Sequence, residues 1–312
     1  MTLVLGSLQL GLLYGLLAMG IYIAFRILNI PDLTAEGSFT FGLAVSAAFT
    51  VAGHPLLGIV MSILAGALAG VITGLLQTKC GIHPILAGIL TMSGLYSVNL
   101  AIMGSSSNLS LISNDNLFKM SYEALGLDKD VCRLIVSAVV VILVAAVLIF
   151  FFKTHIGLCI RATGDNEEMV KASSINIDIT KVLALAIANA GIGLSGGLIA
   201  QYQGFADINS GVGILVVGLA SVIIGELFTR KKSVTVGFLS AIIGSVVYRF
   251  IVALAMSTSF FPAYALKLVS AVIVGIALAL PAMKEFHGGI KNRKVQKAEY
   301  LQAREQRKKG GE

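Results

Sequence analysis

Ten polar or ionisable residues lie inside or beside long apolar runs of this 312-residue chain: Asp32, Thr34, Glu36, Asn99, Asn189, Gln201, Gln203, Asp207, Asn209 and Arg249. Such groups are costly in hydrocarbon and face a bundle interior or a water-filled cavity, so the chemistry they suit is the passage of a polar solute. Each also has a plainer role. The stretch PDLTAEGSF places Pro, Asp, Thr and Glu in the order of a helix start, so Asp32 and Glu36 equally fit capping and charge complementation. Arg249 fits snorkelling or pairing with an acid, and Lys267 fits snorkelling.

Bond-making chemistry finds no residues to carry it. The chain has no G-x-x-x-x-G-K-[ST] phosphate loop, no H-E-x-x-H, no paired-cysteine motif and no G-x-S-x-G elbow. The four histidines, His54, His83, His155 and His287, all fall at ends of apolar segments, where an interfacial polar role is the ordinary one. Cys80, Cys132 and Cys159 are widely spaced, and no disulfide framework or metal site is expected.

The elements that must position these residues are membrane-spanning helices. The chain is 56% hydrophobic with a mean hydropathy of +0.90, too apolar to cover a water-facing surface. Runs of about 20 residues are apolar on all sides, the length that crosses ~30 Å of hydrocarbon. Nine segments are expected, near 2–25, 36–53, 56–77, 83–103, 131–152, 181–202, 210–228, 233–256 and 262–282. The first is read as a retained helix rather than a cleaved signal, because no basic residue precedes it and it runs long. Many of the 34 glycines fall inside these runs, as in LAGALAGVITG, which points to close helix packing.

Basic residues orient the bundle. Placing the 153–181 loop inside puts 18 of the 23 Lys and Arg residues on the cytoplasmic side, with the amino terminus outside and the carboxyl tail in. The expected organisation is a transmembrane domain over 1–283, an outer loop at 104–130 able to meet a soluble partner, and a basic tail at 284–312. That tail suits anchorage at anionic lipid headgroups and not nucleic-acid binding.

Two stretches stand apart. IPDLTAEGSFTFGLAVSAA resembles FADINSGVGILVVGLASVI with one gap, aligning Asp32 with Asp207 and Gly42-Leu43-Ala44 with Gly218-Leu219-Ala220. On the expected topology the copies are inverted, a recurring transporter architecture. The 153–181 loop holds four basic and four acidic residues, whereas a loop serving orientation alone would be mostly basic. Within it GDNEEMVKASSI reads as a short helix, with Asp165 or Asn166 as cap, Glu167 and Glu168 in the first turn, and Met169, Val170 and Ala172 supplying a modest apolar patch. The balance favours a helix that docks on another protein, against a solvated connector.

These residues carry a resemblance. THIGLCIRATGDNEEMVKASSINI resembles the cytoplasmic coupling segment of ABC-importer permeases of the branched-chain amino acid and ribose type, through Thr154, Gly157, Arg161, Ala162, Gly164, Asn166 and Ala172, with Ser174 where the family often has Gly. LNIPDLTAEGSFTFGLAVSAA is similar to that family's early segment through Asn29, Glu36, Gly37, Gly42 and Ala44, and its wording is nearest a subgroup linked to amino-acid import, including tryptophan and tyrosine systems. GELFTRKKS departs from the family's Gly-Gly-rich turn, which bears on substrate more than on mechanism.

The resemblance implies an all-α integral membrane protein of about nine transmembrane helices with an inverted repeat, of the cobalamin-importer (type II) permease fold. It implies a dimer whose loops insert coupling helices into separate ATPase subunits, and a binding protein or lipoprotein that delivers the solute. ATP and Mg would sit on the ATPase, with no cofactor on this chain. Coupling is then expected of Arg161, Gly164, Asp165, Asn166, Glu167, Glu168, Met169, Lys171 and Ala172, and the pathway of Asp32, Thr34, Glu36, Asn99, Asn189, Gln201, Asp207 and Asn209. The solute expected is an amino acid, with an aromatic one favoured. An ion-coupled secondary transporter is the rival reading, but it needs midplane carboxylates, and Asp207 and Glu226 lie near segment ends. A membrane enzyme or scaffold is a third class without a catalytic constellation.

Overall fold

The computed structural model describes residues 2–229 and 233–257, together with Leu268, Ala271, Val272, Val274, Gly275 and Ala279. The expected ninth segment, 262–282, falls outside the described residues apart from those single positions, as do Lys267, Arg230 to Lys232 and the tail from 284.

The helices are α1 (Thr2–Tyr22, continued by a π-helical turn Ile23–Ile27), α2 (Thr34–Val51), α3 (Pro55–Thr78), α4 (Pro84–Ile102), α5 (Leu117–Leu125), α6 (Lys129–Phe151), α7 (His155–Asp165), α8 (Glu167–Ala172), α9 (Ile177–Gln203), α10 (Ile214–Phe228) and α11 (Val234–Ser257). Strands β1 (Asn108–Ser110) and β2 (Phe205–Asp207) pair antiparallel, with Asn108 opposite Asp207. Among the described residues the fold is thus all-α apart from this small ribbon.

Among the described residues seven helical stretches are long and apolar enough to span a bilayer, where nine crossings were expected. The second expected segment accounts for one difference. It forms α2, which carries Thr34, Glu36, Ser38, Thr40 and Ser46, and nearly every position of α2 is buried inside the bundle. A helix sheathed by other helices need not be apolar enough to meet lipid. The lipid-exposed elements show the converse pattern. Leu56, Val60, Leu64 and Leu68 make an open apolar stripe along α3, and Ile142, Leu143, Val147 and Phe150 one along α6.

The core is built on α9, which packs most extensively on α3 and α2. Glycines make that contact possible. A Cβ at Gly42 would collide with the backbone of Gly193, and one at Gly66 with the carbonyl of Asn189, so the three backbones approach as only small residues allow. Leu13, Leu16, Leu17, Phe39, Leu43 and Leu198 fill the space between α1, α2 and α9. One end of the bundle carries α7, α8 and the Lys79–Asp178 ion pair, and the other carries α5 and the β1–β2 ribbon.

Candidate functional site

Two stretches of non-helical backbone meet inside the bundle. After the π turn, residues 28–33 leave the helix, with Asn29 in the left-handed region at φ 57°, before α2 begins. After β2, a single 3-10 turn (Ile208–Gly211) and Gly213 at φ 83° lead into α10. The aligned aspartates perform the same local act: Asp32 Oδ1 accepts the Thr34 amide at 2.9 Å, and Asp207 Oδ1 accepts the Asn209 amide at 2.6 Å. These are Asx turns, the usual means of holding backbone that has left a helix.

The expected capping is realised differently from its sequence order. Leu33 is the N-cap of α2 and contributes no side-chain bond. Glu36 turns away from its own helix, and its Oε1 accepts the amide of Gly213 at 3.0 Å, at the start of α10. A carboxylate belonging to one helix thus serves the open amino terminus of the other, where the unpaired amides favour negative charge.

Behind Glu36 runs a buried polar chain. Asp32 Oδ2 accepts from Asn189 Nδ2 at 2.6 Å, and Thr34, Thr73 and Thr91 are linked hydroxyl to hydroxyl at 2.7 and 2.9 Å. All five side chains are buried. In front of Glu36 lies a cleft of about 510 Å³ lined by Thr40, Tyr96, Asn99, Ile208, Gly211 and Val212 among others. Asn99 is buried there, and its Oδ1 has no hydrogen-bond partner among the described residues.

The candidate pathway residues therefore divide. Glu36 and Asn99 line the cleft; Asp32, Thr34 and Asn189 support it from behind. Gln201 is elsewhere, donating to Ser46 Oγ and the Pro55 carbonyl and accepting from the Leu117 amide, so it ties α2, α3, α5 and α9 together. Asp207, Asn209 and Gln203 sit near the ribbon and do not line the cleft. Arg249 makes no ion pair among the described residues, contrary to one of its expected roles; its guanidinium lies 3.6 Å from the Tyr14 ring centroid. Thr73 and Thr91 escaped sequence reading. Thr91 donates its hydroxyl to the Ala87 carbonyl one turn back and accepts from Thr73, so both hydroxyls are met inside the bundle and neither interrupts its apolar run.

The 153–181 segment forms two helices where one short helix was expected. Thr154 caps α7, and Asn166, the cap of α8, accepts the Met169 amide at 3.1 Å. A Cβ at Gly164 would collide with the Ile27 carbonyl, so α7 is held against the π turn that precedes the first break. Arg161, with Tyr22, Arg26, Asp165 and Glu226, lines a cavity of about 650 Å³. Arg26 also pairs with Glu226 at 2.5 Å, joining the end of the π turn to the end of α10. On α8, Val170 is buried, while Glu168, Met169, Lys171 and Ala172 face outward, as do Asp165 at the end of α7 and the cap Asn166. Glu167 pairs with Lys181 at 2.6 Å, which ties α8 to α9. The expected apolar patch is thus split, Val170 gripping the bundle and Met169 standing open.

At the opposite end, Lys119 on α5 pairs with Asp115 at 2.5 Å, and that carboxylate holds the ammonium above its ordinary range.

Comparison with known proteins decides the family. The model of the branched-chain amino acid transport system permease component matches residues 3–280. The chain belongs to this permease family. Over 269 residues it is 37% identical to the tyrosine transport system permease protein of Clostridioides difficile (strain R20291), covering 86% of this chain and 88% of the relative. It is also 34% identical over 226 residues to the uncharacterized protein RP368 of Rickettsia prowazekii (strain Madrid E), covering 72% of this chain and 78% of that one. No solved structure matches this permease. A permease component is a transport subunit, and the seven apolar stretches make this one a multi-pass membrane protein.

Proposed function

We propose that this permease is the membrane-spanning subunit of an ATP-driven importer that moves an amino acid, with an aromatic one favoured, through the cleft between α2, α4 and the turn that precedes α10. The observation that carries the reading is the meeting of two interrupted segments inside the bundle, with Glu36 bridging them and lining the cleft beside Asn99. Interrupted helices of this kind line solute sites, because their free amides and carbonyls replace water around a polar solute. The 37% identical relative named for tyrosine transport supports the solute class.

ATP and Mg belong to a separate ATPase subunit, which α7 and α8 engage through the exposed row from Asp165 to Ala172. The end carrying these helices also holds Arg26, Lys79, Lys153 and Lys181, so it faces the cytoplasm, with the ribbon and α5 outside. A binding protein or lipoprotein delivers solute to that outer end, and two copies of the chain form the channel as a homodimer.

The test is L-tyrosine uptake into proteoliposomes holding the permease with its ATPase and its binding protein. Uptake requiring internal ATP and an intact ATPase supports the proposal; uptake that persists without the ATPase and follows an ion gradient would establish the secondary transporter instead.

A further inference from the structure

A second cavity, of about 310 Å³, lies against the start of α10 and shares Val212 with the cleft. Gly213 and Ile214 line it from α10, and Tyr248, Arg249 and Val252 from α11. Tyr248 is 1% exposed, yet its hydroxyl has no hydrogen-bond partner among the described residues, and neither does the buried Nε of Arg249. Two orphaned polar groups on neighbouring residues of a membrane-spanning helix are expensive to keep unless something meets them. Tyr14 stacks on the guanidinium and satisfies its face as a cation–π contact, but a ring face accepts nothing from the in-plane N–H groups. The amide of Gly213 at the start of α10 is already taken by Glu36, so the polar groups left to this cavity are those of Tyr248 and Arg249.

We infer that this cavity is a carboxylate site, in which Arg249 and the Tyr248 hydroxyl receive the carboxylate of the transported amino acid as it passes Val212. The inference rests on the amino-acid reading above and adds the group by which the solute is held. Glu36 reaches the same turn from the other cavity, so the turn separates an acidic side from a basic one. A zwitterion passing there finds a partner for each of its charges.

The experiment compares the wild-type permease with R249K, R249Q and Y248F. Each purified permease is titrated with 4-hydroxyphenylacetate, which keeps the carboxylate and lacks the amine, and with tyramine, which has the reverse, reading the rise in thermal midpoint. Each is also assayed with its ATPase and binding protein for L-tyrosine uptake. The expected result is a rise with 4-hydroxyphenylacetate that exceeds that with tyramine, lost in R249Q together with about a tenfold fall in uptake, as loss of a charge-assisted bond predicts. R249K falls between, since an ammonium keeps the charge and loses the planar fork. Y248F loses several-fold. Should R249Q fail to fold, R249K and Y248F decide the matter. A wild type blind to 4-hydroxyphenylacetate, or R249K and Y248F variants that respond as the wild type does, would overturn the site. Arg249-dependent binding of 4-hydroxyphenylacetate without any L-tyrosine uptake would sink the amino-acid reading and leave the site standing.

Discussion

Ser174 stands at φ 60°, in the left-handed region, at the point where the chain leaves α8 and turns toward α9. A side chain there costs roughly 1 kcal/mol or more, which glycine avoids, though glycine gives back part of the gain as chain entropy. Ser174→Gly is therefore expected to be neutral or to stabilise by up to about 1 kcal/mol, whereas Ser174→Val, β-branched in the same backbone, is expected to destabilise by about 1–2 kcal/mol. Thermal unfolding of the purified permease checks both. If Val were tolerated as well as Gly, the turn would not hold this conformation in solution.

The aspartates at the two breaks were legible as an aligned pair in a short repeat, but the breaks themselves were not. Asp32 and Asp207 stood out in sequence, and both make the same Asx bond. Their later fates were not legible. Nothing in PDLTAEGSF says that Glu36 will serve α10 rather than α2, because that depends on where residue 213 lies in space. The packing that sets this geometry rests on glycine, and it can be probed by contrast. A Cβ at Gly66 would meet the Asn189 carbonyl, whereas one at Gly94 would meet nothing. Gly66→Val is expected to destabilise by roughly 1–3 kcal/mol as an overpacked contact, and Gly94→Ala to be neutral or to gain up to about 1 kcal/mol of helix propensity. Equal unfolding temperatures for the two variants would remove close α3–α9 packing from the account.

The coupling segment answers to similar reasoning. Gly164→Pro would tear α7 from Ile27 as well as alter the segment, so it cannot separate folding from coupling. Charge reversal at Glu167 and Glu168 is cleaner. It breaks two surface pairs, with Lys181 and Lys171, worth about 1 kcal/mol or less apiece. The double variant is expected to insert and purify normally while losing both ATPase co-purification and uptake. Full recovery of the ATPase on the variant would remove α8 from the docking surface.

The cysteines offer a test of how the whole bundle lies in the membrane, since they report on both of its ends. Cys80 is exposed just beyond α3 at the end shared with α7 and α8, Cys159 is partly exposed on α7, and Cys132 is buried near the start of α6, at the ribbon end. If the basic end is cytoplasmic, a maleimide that cannot cross the membrane should leave right-side-out vesicles unlabelled and should label inside-out vesicles at Cys80 first, with Cys159 slower. Cys80→Ser should remove most of that signal, while Cys132→Ser should change nothing in either vesicle until detergent unfolds the protein. Rapid labelling of Cys80 in right-side-out vesicles would invert the molecule, placing α7 and α8 outside and out of reach of any cytoplasmic ATPase. The orientation and the coupling role of α7 and α8 thus stand or fall on one accessible thiol.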